Sequence, residues 1–317
     1  MRRLLVFVLV VLALGGTAMY FTGGGKANRD VEVMIARGSS MTAAARVLER
    51  VGAVDSASSF VRRAKLFGSG EPIKPGEYKI KKGMDEGEIL SLLQSGKTLQ
   101  RLVMIPEGMP SIMVQERLMA TELLTGDVTV PPEGSVLPDS YAYSRGETRS
   151  AVLGRMQKAM QTALANAWAA RKPTAAVTTP EQAVILASII EKETARASER
   201  RMVSAVYTNR LKRGMKLEAD PTSIYLTSRG KPLGRRILQS ELDAKNAYNT
   251  YEIVGLPIGP ITNPGKAAIE AALDPAPSNA IFFVAQPDGS SAFTETYGEH
   301  DARVREWVAH RKAKGEM

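Results

Sequence analysis

The chain has 317 residues, a formal net charge of +9 and a hydrophobic content of 44%. This length predicts about two domains, and the apolar content excludes a largely disordered chain. The absence of cysteine excludes disulfides, thiolate nucleophiles and cysteine-based metal sites, and two histidines cannot form a three-histidine zinc site. We therefore expect no metal and no cofactor. The positive charge predicts an acidic partner, which is nucleic acid, anionic lipid or an anionic polymer.

The N-terminus predicts a membrane anchor. An uncharged apolar run extends from Leu4 to Phe21, and a helix of this length spans about 27 Å, close to the thickness of the hydrocarbon core. A cleaved signal peptide is the alternative, but Gly16–Ala18 is a poor cleavage site and the apolar run continues past it. Because Arg2 and Arg3 precede the span, the positive-inside rule places the N-terminus in the cytoplasm. The rest of the chain is then extracytoplasmic, and nucleic acid is not expected as a partner.

A short glycine-rich spacer follows the anchor, and residues 31–100 then predict a small α+β binding module. The segment is short and has no cluster of carboxylates, so we expect it to bind rather than to catalyse. The predicted elements are a strand over Val31–Ala36, helices over Met41–Val51 and Ser56–Phe67, a turn and strand over Lys74–Ile80, a helix capped by Asp85, and a strand over Leu102–Ile105.

Residues 101–317 predict a larger, helix-rich α+β domain. Thr179 followed by Pro180 and Gln182 is a strong helix start, with an N-cap, proline at the first helical position and glutamine at the third. The overall fold class is therefore α+β, with a transmembrane helix, a small module and a larger domain. Further predicted elements are a helix over Thr148–Ala170, a helix that begins at Ser198 and ends at Gly214, and a strand over Ala280–Ala285.

The helix that follows Thr179 is apolar for seven residues and then presents Glu191 and Glu193. Burial beside isoleucines and the negative end of the helix dipole both raise the pKa of a carboxyl, which then holds a proton near neutrality and can act as a general acid. The two carboxylates lie about 200° apart around the helix, which indicates one acid rather than a pair. An ordinary buried helix whose polar end is capped by Lys192 and Arg196 is the alternative.

Several blocks in order carry a family resemblance. The run ASIIEKETARASER at Ala187–Arg200 resembles the YceG-like family, the membrane-anchored endolytic murein transglycosylases. Leu137 departs from the family pattern, which has an aromatic residue before the Pro-Asp pair. The blocks that agree are Glu133–Tyr141, Asn209–Leu211 with Gly214–Met215, Asp220–Tyr225, Tyr248–Tyr251, Gly255–Gly265 and Phe293–Thr294 with Glu299–His300.

The resemblance implies roles for particular residues. Lytic transglycosylases place their acid as a glutamate followed by a hydroxyl residue, which implies Glu193 before Thr194 and leaves Glu191 as the alternate. Turn or capping roles are the alternative for several of the implied substrate contacts. Those contacts are Asp139, Tyr141, Thr194, Asp220, Thr222, Tyr225, Asn249 and Tyr251.

The resemblance also implies a reaction and a location. The implied enzyme is anchored in the cytoplasmic membrane by residues 4–21 and cuts nascent peptidoglycan between N-acetylmuramic acid and N-acetylglucosamine. One glutamate serves as acid and then as base, leaves 1,6-anhydro ends and so ends strand elongation. Residues 31–100 are then LysM-like, and peptidoglycan synthases are candidate partners. The rival hypotheses are a non-catalytic wall-binding scaffold and a hydrolase that leaves reducing ends.

Overall fold

The computed structural model describes residues 25–193 and 196–315, and the chain divides into two compact units, Met1–Arg101 and Leu102–Met317. Helices and small two-stranded sheets occur together, so the α+β class is confirmed. The predicted anchor at Leu4–Phe21 lies outside the described residues. Across the two described ranges, no helix combines the length and the apolar character needed to cross a membrane.

The first unit is a two-stranded antiparallel sheet packed with helices. Its strands pair from Val31 opposite Ile80 to Ile35 opposite Gly76. The helices begin where short polar side chains satisfy the first backbone N–H groups, as Ser40 does for Ala43 at 3.2 Å. The elements are β1 (Val31–Ile35), α1 (Met41–Arg50), α2 (Ala57–Phe67), β2 (Gly76–Ile80) and α3 (Glu86–Ser95).

The core of the first unit lies between this sheet and its helices. Leu48, Phe60 and Ile89 are almost completely buried, and they come from α1, α2 and α3. Tyr78 of β2 is also fully buried, and its hydroxyl donates to the carbonyl of Lys74 at 2.7 Å. The unit thus has its own hydrophobic core, while its LysM-like identity stays a prediction.

The second unit is mostly helical, and several of its helices and strands begin or end close to the predicted residues. Thr148 and Thr179 both lie immediately before the helices that they were expected to begin. The elements are β3 (Arg101–Met104), α4 (Ser111–Ala120), β4 (Ser140–Tyr143), α5 (Arg149–Ala169), α6 (Pro180–Glu193), α7 (Arg200–Lys212), α8 (Asp220–Ser223), α9 (Tyr225–Ser228), α10 (Gln239–Leu242), α11 (Lys266–Leu273), β5 (Phe282–Ala285), β6 (Ser291–Thr294) and α12 (Tyr297–Ala313).

Helices α7 and α11 are examples of elements that differ from the predictions. The segment Ala197–Glu199 forms a turn of 3-10 helix, so α7 begins at Arg200 and not at Ser198. Helix α11 was not predicted, because its sequence KAAIEAAL is short and follows a stretch rich in proline and glycine. This helix packs directly on α6, and α7 and α5 also contact it. The core of the second unit is therefore centred on α6 and α11.

Candidate active site

Glu193 is the last residue of α6, and a buried helical face holds it in place. Ile189 and Ile190, one turn earlier, are fully buried in the core of the second unit. Ser188 adds a polar contact, because its Oγ accepts the backbone N–H of Ile261 at 3.1 Å. The end of α6 is consequently fixed by packing on one side and by a hydrogen bond to a loop on the other.

The carboxyl of Glu193 is held in a largely desolvated environment. Its Oε1 is buried and has no hydrogen-bond partner among the described residues. Burial and the negative charge of Asp220 raise the pKa of Glu193 to about 7, while a hydrogen bond from the Tyr207 hydroxyl acts in the opposite direction. A carboxyl with this pKa exists in both protonation states near neutral pH, as a group that first gives and then takes a proton must.

Tyr207 is the neighbour that sequence reasoning missed as a functional residue. Its ring is almost fully buried on α7 and packs edge to face with Phe283, with 6.0 Å between the ring centroids. Burial and the nearby Glu193 raise the pKa of Tyr207 well above its ordinary value, so the hydroxyl remains a donor. The residue lies in an apolar helical stripe, and periodicity cannot distinguish a core tyrosine from one whose hydroxyl reaches the acid.

We expect Tyr207→Phe to move the pH dependence of activity upwards. The hydroxyl donates to the ionised carboxylate, so its loss raises the pKa of Glu193 further, and the carboxyl stays protonated to a higher pH while becoming a weaker acid. A pH series of kcat/KM for wild type and variant measures the shift of the alkaline limb. Tyr143→Phe is the matched control. An unchanged limb in Tyr207→Phe would show that the hydroxyl only fills space.

Asp220 and Tyr251 form the exposed side of the site. Asp220 is the first residue of α8, and its Oδ1 accepts the Tyr251 hydroxyl at 2.6 Å. The backbone of Tyr251 is held as well, because its carbonyl accepts the Nζ of Lys216 at 2.6 Å. The structure thus brings together Glu193, Asp220 and Tyr251, three of the residues named from the sequence.

Glu191 points to a different set of partners. Its Oε2 accepts the backbone N–H of Gly265 at 2.8 Å, at the N-cap position of α11. Its Oε1 lies 3.6 Å from a guanidinium nitrogen of Arg200, which also contacts Glu107 at 3.2 Å. Burial raises the pKa of Glu191, but both oxygens have partners. These contacts favour a role in which Glu191 joins α6 to the start of α11.

A stability measurement separates this structural role from catalysis. We expect Glu191→Ala to lower the free energy of unfolding by about 1–3 kcal/mol, because it removes the cap of α11 and a partner of the mostly buried Arg200. Denaturant unfolding checks the value, with the exposed neighbour Lys192→Ala as control. A variant as stable as the wild type would contradict the role as a cap.

Two of the predicted substrate contacts are buried and already hydrogen-bonded. Thr222 donates to the carbonyl of Ala219 at 2.6 Å and lies 2.8 Å from the hydroxyl of Thr250. Asn249 donates from its amide to the carbonyls of Leu242 and Ala244. Both side chains belong to residues with no exposed surface. They hold the loop before Tyr251 against the start of α8.

The remaining predicted residues lie elsewhere or outside the described ranges. Tyr141 packs in the core around β3 and β4, and its hydroxyl donates to the carbonyl of Leu137 at 2.6 Å. Burial raises the pKa of Tyr141 to about 12. Asp139 is exposed, and its Oδ1 accepts the N–H of Ser140 at 2.7 Å. Thr194 lies outside the described residues.

Tyr225 belongs to a polar network around a buried carboxyl. Its hydroxyl donates to Oε2 of Glu133 at 3.1 Å, and Oε1 of Glu133 accepts the backbone N–H of Ser111 at 2.8 Å. Burial raises the pKa of both Tyr225 and Glu133. The ring of Tyr225 also contacts that of Tyr248, with 4.6 Å between centroids. Tyr225 therefore lines a cavity next to the segment that begins at Asp220.

The assembled groups support proton transfer at one carboxyl beside a second carboxylate. Glu193 can hold the proton, and the Tyr207 hydroxyl orients the Glu193 carboxyl. Asp220 supplies negative charge at the exposed side. In residues 25–193 and 196–315, no group of three or more histidine, aspartate or glutamate side chains could hold a metal ion. The chemistry that these residues can perform is acid–base chemistry.

Comparisons with known proteins relate the chain to a family. The model of the YceG-like family matches residues 33–306. A Bacillus subtilis protein named endolytic murein transglycosylase is 25% identical over 90% of this chain and 86% of its own length. A Streptococcus pneumoniae protein of the same name is 25% identical over 88% of this chain, which spans only 58% of that relative.

A solved structure extends the likeness to the fold. The crystal structure of a yceG-like protein from Listeria monocytogenes superposes with a TM-score of 0.55 and 26% sequence identity, and covers 86% of this chain and 98% of its own. The family model matches far more than half of the chain. The chain belongs to the YceG-like family.

Proposed function

We propose that this protein is an endolytic murein transglycosylase that uses Glu193 as its single acid and base. The observation that carries the proposal is the desolvated carboxyl at the end of α6, with a pKa of about 7. The names of the relatives from Bacillus subtilis and Streptococcus pneumoniae support the substrate class, which is the glycan strand of peptidoglycan.

The reaction needs only one titrating group. Protonated Glu193 gives its proton to the oxygen that links N-acetylmuramic acid to N-acetylglucosamine, and the bond between that oxygen and C1 of the muramyl sugar breaks. The positive charge that develops at C1 is stabilised by the nearby carboxylate of Asp220. Ionised Glu193 then takes the proton of the C6 hydroxyl while O6 bonds to C1. The products are a 1,6-anhydro end and a new N-acetylglucosamine end, and no water is consumed.

The other residues of the site divide into contacts and supports. Tyr251, Tyr225 and the exposed Asp220 are proposed to contact the glycan directly, and Thr194 follows the acid in the chain. Thr222 and Asn249 support the loop that carries Tyr251, because their polar atoms are already bonded within the protein. Tyr141 and Asp139 shape the loop that follows Glu133. Glu191 remains the alternate acid in this proposal.

The cellular setting is part of the same proposal. Residues 4–21 would anchor the chain in the cytoplasmic membrane with the catalytic unit on the extracytoplasmic side, close to newly made glycan. The LysM-like interpretation of residues 31–100 supplies a glycan-binding module. Cleavage there would end strand elongation and would bring the enzyme near peptidoglycan synthases.

A hydrolase is the second candidate, because Asp220 lies close enough to Glu193 to raise its pKa. A second carboxylate could activate a water molecule, as in inverting glycosidases. The full-length chain, incubated with purified glycan strands in isotopically labelled water, distinguishes the two. A transglycosylase yields 1,6-anhydro ends without label, whereas a hydrolase yields labelled reducing ends that are heavier by one water. Uncut strands would favour the non-catalytic scaffold.

A further inference from the structure

The cavity lined by Tyr225, one of the predicted substrate contacts, has a volume of about 370 Å³. Apolar side chains form one part of its wall, and a pair of tyrosines with one arginine forms the other. A pocket of this size and mixed lining is typical of a site for a small organic group. Its lining includes Ile112, Val130, Glu133, Tyr225, Arg229 and Tyr248.

The back of the cavity is rigid. Glu133 accepts hydrogen bonds from the N–H of Ser111 and the hydroxyl of Tyr225, and the amide of Asn263 lies 3.3 Å from its Oε1. Asn263 also donates to the carbonyl of Met109 at 2.9 Å. Glu133 therefore acts as a fixed wall whose oxygens are already occupied, and its buried carboxyl is not available to bind a cationic ligand.

The aromatic pair is held close to the backbone. The Tyr225 and Tyr248 rings lie 4.6 Å apart, tilted by 41°. Glycine at position 259 makes this possible, since a Cβ there would lie 3.0 Å from the Tyr248 hydroxyl. The tyrosines offer flat apolar surface, and their hydroxyls remain protonated because burial raises the pKa of both.

Arg229 supplies the positive charge of the cavity. Its guanidinium forms no ion pair in the described part of the chain, although its charge acts on the Tyr225 hydroxyl. By contrast, the neighbouring cations Lys231 and Arg235 are paired with Glu116 and Glu241. The backbone at Arg229 lies in the left-handed region at φ 50°, and its N–H donates to the carbonyl of Tyr225 at 2.7 Å.

Two short stretches of chain connect residues of the cavity wall with residues next to Glu193. Asp220 precedes Tyr225 by five residues, a path of at most about 18 Å, and Tyr248 precedes Tyr251 by three residues, at most about 11 Å. Asp220 and Tyr251 are the residues at the exposed side of the acid. A substituent of a muramyl sugar bound near Glu193 could therefore extend into the cavity.

We propose that this cavity binds the carboxylate-bearing peptide substituent of the muramyl sugar, with Arg229 as the residue that recognises a peptide carboxylate. The inference rests on the proposed function. A lone guanidinium matches a carboxylate through two parallel hydrogen bonds, whereas a phosphate would usually recruit more than one cation. The apolar wall around Ile112 and Val130 fits alanine methyl groups, and the volume exceeds the needs of the lactyl carboxylate of a naked strand.

Binding measurements test this without depending on the reaction. The probes are a short peptide-bearing glycan fragment and the same fragment after removal of its peptides, titrated into the full chain carrying Glu193→Gln so that neither is cut. We expect the Kd ratio of the naked to the peptide-bearing fragment to fall roughly tenfold when Arg229→Gln is added, the loss of one charge-assisted contact. Arg213→Gln, an exposed arginine on another helix end, should leave the ratio unchanged.

The result that overturns the inference is a ratio that Arg229→Gln does not alter, whether both fragments weaken together or neither does. Equal affinity of the starting protein for the two fragments, or no binding of the peptide-bearing one, would overturn it as well. Arg229→Lys should retain part of the discrimination, because it keeps the charge but loses the paired geometry. Failure of the proposed function has a separate signature, since wild type would then release no anhydro ends while the binding ratio keeps its dependence on Arg229.

Discussion

Replacing Glu193 by glutamine is expected to abolish glycan cleavage and to stabilise the folded protein at alkaline pH. Glutamine keeps the shape of the side chain but cannot give or take the proton, so a loss of at least 10²–10⁴-fold in kcat follows. The stability gain arises because the variant no longer holds an ionised carboxylate in a desolvated site.

The sign of the stability effect follows from the pKa of about 7, which lies above the ordinary glutamate value of 4.5. In the wild-type protein, protonated Glu193 contributes fully to the free energy of unfolding below about pH 4.5. This contribution is lost as the pH rises through 7. At pH 8 this loss is on the order of 3 kcal/mol, and Glu193→Gln avoids it. Thermal unfolding at pH 5 and pH 8 measures the difference.

Glu191→Gln is the matched control for both readouts, since it makes the same chemical change two residues away. Its activity should fall only with the folded fraction, and its stability should lie below that of the wild type, because glutamine lacks the charge that faces Arg200. Full activity in Glu193→Gln together with lost activity in Glu191→Gln would transfer the role of the acid to Glu191.

The second large effect is a steep alkaline limb in the pH profile of wild-type kcat/KM. Because the first step requires protonated Glu193, kcat/KM should fall about tenfold for each pH unit above 7. Asp220→Asn should move this limb to lower pH, since the charge of Asp220 raises the pKa of Glu193. A flat profile between pH 6 and 9 would contradict the assignment of Glu193 as the acid.

Asp243→Asn provides the comparison for Asp220→Asn. Asp243 is an exposed carboxylate that accepts a hydrogen bond from Gln239 at 2.9 Å. Its removal changes the net charge of the unit by the same amount but should leave the limb in place, because exposed charges at a distance are screened by solvent and salt. An equal shift in both variants would assign the effect to net charge rather than to proximity.

Local signals explain what the sequence could predict. Thr179 and Pro180 mark the start of α6 by their capping chemistry, and Glu193 follows from the apolar run that buries the end of this helix. Strands β1 and β2 were predicted within one or two residues at their ends, because alternation and turn residues are local properties. The pairing of Val31 with Ile80 required the structure, since register depends on residues far apart in the chain.

The rest of the site depends on contacts that no local pattern contains. Asn249 looked substrate-facing, yet its amide is bonded to Leu242 and Ala244, and only the fold shows where a buried amide finds partners. The Glu133 network joins residues more than a hundred positions apart, as the contact with Asn263 illustrates. Helix α11 escaped prediction because it has only eight residues and follows a stretch rich in proline and glycine, so its two exposed polar residues, Lys266 and Glu270, are too few to reveal a helical period.

The central claim is that Glu193 alone drives an intramolecular cleavage, and mass spectrometry of the strand ends tests it most directly. Wild type and Glu193→Gln are incubated with the same purified glycan strands, and the masses of the strand ends that each releases are measured. The account predicts 1,6-anhydromuramyl ends from wild type and none from Glu193→Gln, with both proteins folded. Reducing ends from wild type, or anhydro ends from Glu193→Gln at the wild-type rate, would contradict it.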